Sequence, residues 1–416
     1  MKLVPFTRAL TAVCATAALA AAATACMPNQ AGNVGSTKTG DITNPATRGS
    51  PVDELRDACG TGLMTLAGEA VIRRKPYLQK VTKSSVTVGW VSTGGDGERV
   101  EVSLPDRRPL GGAAGVREAV TVRRSGENQM WSEIDGLEPN TVYCYSVIDQ
   151  HGPLSERIGF RTAPPPDSTE PVRFLAFGDS GGGGTDQREL AEQMYTLPFS
   201  MIVHTGDIAY DNGSIGDFED TVFKMYAPLF SHIPFFPASG NHEYRTMSAA
   251  PFRAVFSLPG DSGEKWYSYD WGRIHFAALD TEADYATQAR WLDADLAATA
   301  LPWKVIYFHK PMFSSGEHGS DIALRKALTP VLEKHHVQLV LAGHDHDYER
   351  MVPQNGIQHI VTGGGGVGTR PVGNSAFTAF SEEVIHFVYA DVRADEMVLH
   401  AIDATGNEFD SVVVQR

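Results

Sequence analysis

Short apolar runs alternate with longer amphipathic stretches through the second half of the chain. The runs predicted to be buried strands lie at 172–177, 201–203, 233–237, 305–308 and 339–342, followed near the end by 384–390, 396–402 and 411–414. Helical periodicity falls at 187–195, 286–298 and 322–335. Strands alternating with helices indicate a layered α/β domain, which we place at residues 172–416.

Residues 75–163 follow a different pattern, in which Val86, Val88 and Trp90 alternate with small or polar residues. This predicts short, half-buried strands in a small all-β sandwich. Residues 137–145, LEPNTVYCY, also resemble the fibronectin type III signature, in which a Tyr hydrogen-bonds back across a corner of the sandwich. Such a domain serves either in adhesion or as a structural neighbour, and we favour the second role. The stiff, Pro-rich residues 164–171 form the linker that follows.

Residues 1–25 have the features of an export signal. Lys2 and Arg8 precede an uncharged, Ala-rich run that ends in small residues before Cys26. A membrane anchor is the alternative, but the 17 residues from Ala9 to Ala25 are short against the roughly 20 that a span requires. Cleavage would leave Cys26 first, which resembles a bacterial lipobox and implies a lipid anchor, although Ala23 stands where that motif usually has Leu.

Residues 26–74 are rich in Gly, Thr, Asn and Ser, and we interpret them as a tether or pro-segment in which 57–71 could form a short helix. Cys59 and Cys144 remain in the exported body of the protein. In an oxidising compartment they can form a disulfide, and two buried thiols are the alternative. The expected location is therefore outside the cytoplasm: secreted, periplasmic or held at the cell surface as a lipoprotein.

The composition, with 42% hydrophobic and 20% charged residues, is that of a folded globular protein. The formal net charge is -15 and becomes -17 once the signal, with Lys2 and Arg8, is removed. An acidic exterior argues against a nucleic-acid-binding face. It does not exclude a small anionic substrate, because bound cations can reverse the local sign of charge. Nothing in the sequence indicates an oligomeric state.

Five of the predicted strands end in residues that can bind metal ions. In chain order the strand exits read Gly-Asp at 178–179, Gly-Asp at 206–207, Gly-Asn-His-Glu at 240–243, His at 309 and Gly-His-Asp-His at 343–346. Loops at the carboxyl ends of strands in an open α/β sheet project side chains into a shared crevice. A single Gly-Asp is usually a turn and a lone His usually a packed one, but the repetition on five exits predicts a metal centre.

Asp179, Asp207, Asn241, His309, His344 and His346 offer two carboxylates, one amide oxygen and three imidazoles. These are too many ligands for one tetrahedral zinc and suit two ions that share an Asp. Two cations can neutralise a phosphate ester while an activated water attacks phosphorus in line with the leaving group.

The five blocks, GDSG, GDIAY, GNHE, FHKP and GHDHDYER, together resemble the calcineurin-like metallophosphoesterases in their purple acid phosphatase form. The resemblance covers about residues 172–370, and a type III-like domain ahead of it is also typical of that family. It implies a four-layer αββα sandwich and a phosphatase that hydrolyses phosphate monoesters through a metal-activated hydroxide. A phosphodiesterase is the runner-up, and a surface-tethered binding protein with a structural metal site is the alternative from another class.

The resemblance also assigns the ligands. The first ion, ferric iron, would be held by Asp179, Asp207, Tyr210 and His346. The second, divalent iron, zinc or manganese, would be held by Asp207, Asn241, His309 and His344. For Tyr210 the alternative is aromatic packing beneath the site.

Two further histidines are candidate catalytic residues. By the resemblance, His242 contacts the phosphoryl oxygens or the leaving group, and its alternative is to support Glu243 or Asp207. His318 occupies a position where related enzymes carry a substrate or leaving-group histidine. Because Gly319 follows it, the adjacent second histidine of some members is missing, which leaves the proton donor open.

The remaining motifs indicate structure rather than chemistry. Gly363–Gly366 lacks the Lys-Ser/Thr of a nucleotide-binding loop, so we expect a tight loop near the site. His204 lies inside a strand and is expected to be a core residue. Glu349 and Arg350 are expected to be a structural pair that holds the histidine loop, and direct contact with substrate is the alternative.

Overall fold

The computed structural model describes residues 49–60, 65–94, 97–107, 116–118, 120–124, 127–260 and 262–416. The predicted export signal at residues 1–25, and Cys26 after it, lie outside this part of the chain.

The first part of the described chain is a pair of four-stranded antiparallel sheets preceded by a helix, α1 (Asp53–Cys59). The sheets have the strand orders β1-β2-β6-β5 and β4-β3-β7-β8. The strands are β1 (Ile72–Gln79), β2 (Ser85–Ser92), β3 (Arg99–Ser103), β4 (Val116–Glu118), β5 (Val120–Arg124), β6 (Glu127–Asp135), β7 (Val142–Ile148) and β8 (Ile158–Arg161). This arrangement is the predicted all-β sandwich, since apolar residues from both sheets are buried together.

The prediction of half-buried strands is wrong for β2, where seven of the eight residues are buried. The face of this sheet that the alternation assigned to solvent packs on the α/β part of the chain. Tyr77 of β1 donates a hydrogen bond to the Val255 carbonyl at 2.6 Å, and its ring lies 4.9 Å from that of Phe223. A small residue such as Thr87 or Gly89 therefore marks close packing here rather than exposure.

At one corner of the sandwich the Tyr143 hydroxyl accepts a hydrogen bond from the Glu138 N–H at 2.8 Å. This is the kind of contact expected from residues 137–145. The fibronectin type III identity of the sandwich stays a prediction.

Helix α1 contradicts the interpretation of residues 26–74 as a tether over this stretch. Its Leu55 side chain is buried, and a disulfide joins Cys59 to Cys144 of β7. The disulfide confirms the pairing that was favoured for these two cysteines. Of the predicted short helix at 57–71, residues 57–59 form the end of α1, and the described residues 65–71 are not helical.

The second part of the described chain contains two mixed sheets, with the strand orders β11-β10-β9-β19-β20-β21 and β12-β13-β14-β15-β17-β16-β18. The first sheet consists of β9 (Val172–Phe177), β10 (Met201–His204), β11 (Phe235–Pro237), β19 (His386–Val392), β20 (Glu396–Asp403) and β21 (Glu408–Gln415). The second consists of β12 (Tyr267–Trp271), β13 (Ile274–Ala278), β14 (Trp303–Tyr307), β15 (Leu339–Ala342), β16 (Tyr348–Met351), β17 (Gln358–Thr362) and β18 (Thr378–Glu382).

The helices of this part are α2 (Thr185–Met194), α3 (Ile215–Asp217), α4 (Lys224–Phe230), α5 (Asn241–Tyr244), α6 (Ala250–Val255), α7 (Tyr285–Ala298) and α8 (Ile322–Lys334). A π-helical turn, Phe218–Phe223, joins α3 to α4, and a short 3-10 turn, Met247–Ala249, precedes α6.

The two sheets pack face to face through aromatic side chains. Phe174 of β9 meets Phe276 of β13 edge to face at 5.3 Å, and Phe236 of β11 stacks on Tyr269 of β12 at 3.9 Å. On the outer face of the seven-stranded sheet, leucines of α7 and α8 cover β13, β14 and β15. Helices α2 and α4 contribute to the core of the six-stranded sheet. The layers therefore follow the order helix, sheet, sheet, helix, as the resemblance implied.

The strands at 172–177 and 339–342 begin and end where the sequence predicted them. Strands β12, β13 and β16 to β18 were not predicted; in β13 and β17 every residue is buried, so no alternation of buried and exposed positions marks them. Within the described residues, none of the helices combines the length and apolar character that crossing a bilayer requires.

Candidate metal centre

Parallel pairing brings the predicted ligand positions to one edge of the layered core. Strands β9, β10 and β11 run parallel in one sheet, and β14 and β15 run parallel in the other. Their carboxyl ends deliver Asp179, Asp207, Asn241, His309 and His344, respectively. Because the sheets face each other, the loops from both can meet over their shared end.

The first cluster is centred on the hydroxyl of Tyr210. It lies 3.0 Å from Asp179 Oδ1, 3.2 Å from Asp207 Oδ2 and 3.1 Å from His346 Nε2. These are the four residues that the resemblance assigned to the first ion, and the structure brings all of them together. The aromatic ring of Tyr210 also lies 4.0 Å from that of His242, so this residue packs and presents oxygen at the same time.

The second cluster is centred on Nε2 of His309. This atom lies 3.1 Å from Asp207 Oδ2, 3.1 Å from Asn241 Oδ1 and 3.1 Å from His344 Nδ1. These are the residues assigned to the second ion, and Asp207, His309 and His344 form a group with metal-ligand spacing. Oxygen Oδ2 of Asp207 belongs to both clusters, so the carboxylate is placed to bridge two ions.

The chemistry of the donor atoms fits cations. Nδ1 of His309 donates to the Thr205 carbonyl at 3.1 Å, so Nε2 of the neutral ring carries a lone pair that faces the oxygens of Asp207 and Asn241. In the first cluster the single proton of the Tyr210 hydroxyl cannot satisfy the carboxylate oxygens of both Asp179 and Asp207. Each set is therefore repulsive unless a positive charge lies among its atoms, and divalent or trivalent cations supply that charge.

The pKa shifts agree with this interpretation. Burial opposes the charging of His309, but the Asp207 carboxylate beside it raises its pKa to about 9. Burial, and then His309, lowers the pKa of His344 to about 2. One positive charge is thus favoured in the second cluster. Burial, and then the carboxylates of Asp179 and Asp207, raise the pKa of Tyr210 well above its ordinary value, so a phenolate at this position requires a cation.

The backbone conformation sets the direction of three of the ligand side chains. Asp179, Asp207 and His344 have positive φ angles of 58°, 51° and 74°, which are costly for residues other than Gly. Neighbouring glycines make room for the ligand atoms. A Cβ on Gly240 would lie 2.2 Å from Asp207 Oδ1, and one on Gly343 would lie 2.4 Å from Asp179 Oδ2. The glycines before Asn241 and His344 are therefore required by close approach.

Glu243 is a part of the site that the sequence analysis left without a role. Its carboxylate is fully buried and accepts hydrogen bonds from the N–H groups of Gly240, Asp207, Ile208 and Ala209 at 2.7 to 3.1 Å. It thereby holds the loop after β10 to the start of α5. The signal was present in the sequence, because Glu is favoured three residues after a helix N-cap, where it caps the preceding backbone.

His242 lies at the edge of both clusters. Its Nδ1 donates to the Asp211 carbonyl at 2.6 Å, and its Nε2 lies 3.8 Å from Asp207 Oδ2. The ring is therefore oriented with Nε2 toward the clusters and without direct contact at ligand distance. Burial lowers the pKa of His242.

His318 lies beside the second cluster, where its ring stacks on that of His344 with centroids 4.2 Å apart. Its backbone N–H donates to Asp345 Oδ1 at 2.7 Å, which fixes the loop after β14 to the histidine loop after β15. Nε2 of His318 lies 2.5 Å from Nη1 of Arg370, a residue that the sequence analysis did not single out.

The structure agrees with the predictions for His204 and for Gly363–Gly366. His204 is a buried core residue, as predicted, with Phe177 4.8 Å and Phe235 5.5 Å from its ring. Gly363–Gly366 is a tight loop at the site, since the Gly365 N–H donates to the Gly178 carbonyl at 2.9 Å.

Glu349 and Arg350 make structural contacts, as predicted, but they do not pair with each other. Arg350 binds Asp410, whereas buried Glu349 accepts from the Ser315 N–H at 2.6 Å. Adjacent residues of a β-strand point to opposite faces of the sheet, so these two side chains cannot meet.

Comparison with known proteins agrees with the fold. Residues 172–348 match the family model for calcineurin-like phosphoesterases. The chain is 30% identical to human acid phosphatase type 7 over 252 residues, covering 52% of this chain and 55% of the human protein. It is 31% identical to purple acid phosphatase 23 of Arabidopsis thaliana over 259 residues, covering 52% and 56%.

Among solved structures, the purple acid phosphatase PPD1 from yellow lupin (Lupinus luteus) seeds superposes with a TM-score of 0.73 at 22% identity, covering 82% of this chain and 74% of that one. This likeness supports the fold. The chain spans about half the length of the human and Arabidopsis relatives. Residues 172–348 thus resemble the calcineurin-like phosphoesterases, and purple acid phosphatases are among the proteins to which the chain is similar.

Proposed function

We propose that the protein is a binuclear-metal phosphohydrolase that cleaves phosphate monoesters in the manner of an acid phosphatase. The observation that carries this proposal is the single Asp207 oxygen shared by two converging sets of ligands, 3.2 Å from Tyr210 and 3.1 Å from His309. A structural metal site needs only one closed set of ligands. Two adjacent sets that share an oxygen and open to a loop-lined edge suit catalysis instead.

The first cluster is proposed to bind ferric iron through Asp179, Asp207, Tyr210 and His346. A phenolate and two carboxylates supply the anionic oxygens that a hard trivalent ion favours. The second cluster, with Asp207, Asn241, His309 and His344, is richer in imidazole and suits a divalent ion such as iron, zinc or manganese. Bound together, two such ions would neutralise the phosphoryl oxygens and lower the pKa of water.

The side chains of the protein have separate roles in this proposal. Asp207 holds the two sets of ligands at a fixed separation, and Glu243 holds the backbone of Asp207. The contact with Asp211 directs His242 Nε2 toward the clusters, so a protonated His242 can donate a hydrogen bond to a phosphoryl oxygen. His318 lies on the second cluster, where it can approach the leaving group.

A phosphodiesterase of the same superfamily is the second candidate. The loop edge is open beside Tyr210, where Gly182, Gly184, Asp186, Gly366 and Gly368 line a cavity of about 510 Å³. This recess is wide enough to admit either a single leaving group or the second arm of a diester. Monoesters remain the first choice because the relatives named above are acid phosphatases.

We also propose that the protein is exported. The Cys59–Cys144 disulfide supports this location, because such bonds persist in oxidising compartments and are rare in the cytosol. A lipid anchor at Cys26 stays a prediction from the sequence.

The test of the proposed function combines metal analysis of the purified protein with a panel of phosphate monoesters and diesters. Two metals per chain, one of them iron, and turnover of monoesters above diesters are expected. Turnover of diesters alone would favour the second candidate. One tightly held metal without turnover of any ester would contradict the enzyme assignment.

A further inference from the structure

Arg370 contacts the surroundings of both clusters. Its backbone N–H donates to the carbonyl of His346, a member of the first cluster, at 2.9 Å. Its guanidinium Nη1 lies 2.5 Å from Nε2 of His318, whose ring stacks on His344 of the second cluster. The loop that carries Arg370 is held down a few residues earlier, where the Val367 N–H donates to the Asp179 carbonyl at 3.2 Å. The position of this guanidinium is therefore tied to the site.

Much of the positive charge of Arg370 is available to a ligand. A guanidinium has donors and no acceptor, so His318 must accept in their contact and does not neutralise the charge. Two carboxylates are near Arg370: Asp347, which interacts with it electrostatically, and Glu317, whose Oε2 lies 3.5 Å from Nε of Arg370 and whose side chain is 63% exposed. An ion pair of that length at the surface is weak. The Arg370 side chain is itself 31% exposed and so reaches solvent at the rim of the site.

The chain is open directly after His318. A Cβ on Gly319 would meet no heavy atom within 4 Å other than those of Gly319 and its two chain neighbours. The loop that carries His318 therefore leaves room for a ligand at this point. The planar fork of Arg matches the paired oxygens of a phosphate or carboxylate.

We propose that Arg370 is a specificity-determining residue that binds a second anionic group, carried by the leaving group of the substrate. This inference rests on the proposed phosphoester hydrolysis. The transferred phosphoryl group belongs on the two clusters, whereas the Arg370 guanidinium contacts His318, whose ring stacks on His344 of the second cluster. It is thus placed for a phosphate or carboxylate on the leaving group and not for the phosphoryl group itself.

The test measures ligand binding to the metal-loaded protein by isothermal titration calorimetry. Inorganic phosphate represents a ligand with one anionic group, and methylenediphosphonate, which resists hydrolysis, represents a ligand with two. In Arg370→Gln, affinity for methylenediphosphonate should fall about tenfold, the loss of one charge-assisted hydrogen bond at a partly exposed position. Affinity for phosphate should stay within about twofold. Arg290→Gln removes the same charge at an exposed position of α7 and should alter neither affinity.

Arg370→Lys provides a second variant if Arg370→Gln folds poorly or loses metal. Lys keeps the charge without the fork, so methylenediphosphonate should bind severalfold more weakly while phosphate binds as before. Equal losses for both ligands would place Arg370 on the transferred phosphoryl group and overturn the proposal, as would unchanged affinities. Carboxylate-bearing and phosphate-bearing monoesters, compared by kcat/KM, then identify the leaving group.

Failure of the proposed function gives a different result. A wild-type protein that turns over no ester but still prefers methylenediphosphonate through Arg370 would contradict hydrolysis and leave the anion site standing. A wild-type protein that hydrolyses monoesters while Arg370→Gln keeps every affinity would do the reverse.

Discussion

Oε2 of Glu243 accepts a hydrogen bond from the backbone N–H of Asp207 at 3.0 Å. A carboxylate that takes no direct part in either cluster thus sets the position of the one ligand that both clusters share. The other Glu243 oxygen accepts hydrogen bonds from the N–H groups of Ile208 and Ala209, so this side chain fixes the backbone of the loop after β10.

Glu243→Gln should loosen the metal centre although it preserves the size of the side chain. The amide NH₂ must face backbone N–H donors, which leaves buried groups unpaired and costs about 1 to 3 kcal/mol of folding free energy. Metal affinity should fall about 10- to 100-fold, as expected when a group that orients a ligand is lost. Thermal unfolding and bound metal after dialysis measure the two effects. Exposed Glu189→Gln is the control, and a variant equal to it in both would contradict this role.

Tyr210→Phe tests the first cluster. If the phenolate binds ferric iron, the purified protein is coloured by charge transfer from tyrosinate to iron, and the variant loses that visible band. Iron content is measured on the same samples, because loss of iron alone would also bleach the protein. Tyr195→Phe should leave the spectrum unchanged. A colourless iron-loaded wild type, or a band that survives in Tyr210→Phe, would refute the assignment.

His242→Ala should lower kcat about 100-fold or more, the usual contribution of a side chain that transfers or donates a proton at the reacting group. Both metals should remain, because Nε2 of His242 lies 3.8 Å from the nearest Asp207 oxygen. Steady-state kinetics and metal analysis separate the two effects. The surface variant His151→Ala serves for comparison. Metal loss that accompanies the drop in turnover would assign His242 a structural role instead.

Gly343→Ala should damage the first cluster by steric contact. The added methyl group would lie 2.4 Å from Asp179 Oδ2 and 2.8 Å from Thr205 Oγ1, so the ligand or the backbone must move. We expect metal affinity to fall at least about tenfold. In Gly216→Ala the new Cβ would meet nothing nearer than 3.7 Å, and metal binding should not change. Equal metal content in the two variants after dialysis would contradict close packing at Gly343.

His275 gives a pH dependence of stability away from the metal centre. Burial opposes its charge, but hydrogen bonds to Asp270 at 2.7 Å and Asp295 at 2.8 Å raise its pKa to about 9. The folded pKa exceeds the unfolded value of about 6.5, so the stabilisation is full below pH 6.5 and is lost as the pH rises through 9.

His275→Gln should therefore cost about 1 to 2 kcal/mol at pH 6, since Asp270 is partly screened by solvent, and little at pH 10. Denaturant unfolding at the two pH values measures the difference. A cost that does not depend on pH would show that His275 contributes packing rather than charge.

Local sequence was sufficient for the parallel strands that build the site. Residues 172–177 and 339–342 are apolar runs buried on both sides, and such runs identify themselves by composition alone. Strands β13 and β17 are buried along their whole length although both contain His, so no alternation indicated them. Buried polar atoms also depend on distant partners: the Tyr267 hydroxyl donates to the Pro237 carbonyl 30 residues away.

Long-range pairing also decided which polar side chains meet. Arg350 stands beside Glu349 in the chain, yet the strand alternation sends it to Asp410, and Arg370 becomes part of the site because its loop crosses Asp179. The sandwich likewise buries both faces of β2 only because another part of the chain covers it.

The sequence by itself determined that buried strands end in metal-type ligands. The apolar run of a strand and the Gly and ligand residue that follow it are neighbours in the chain, so a local pattern reveals them. The tertiary structure alone decided that one Asp207 oxygen lies between Tyr210 and His309 and that Glu243 holds it there. It also decided that the guanidinium of Arg370 lies at the rim of the metal centre. Those distances depend on how two sheets pack, and packing is a relation between residues far apart in the chain.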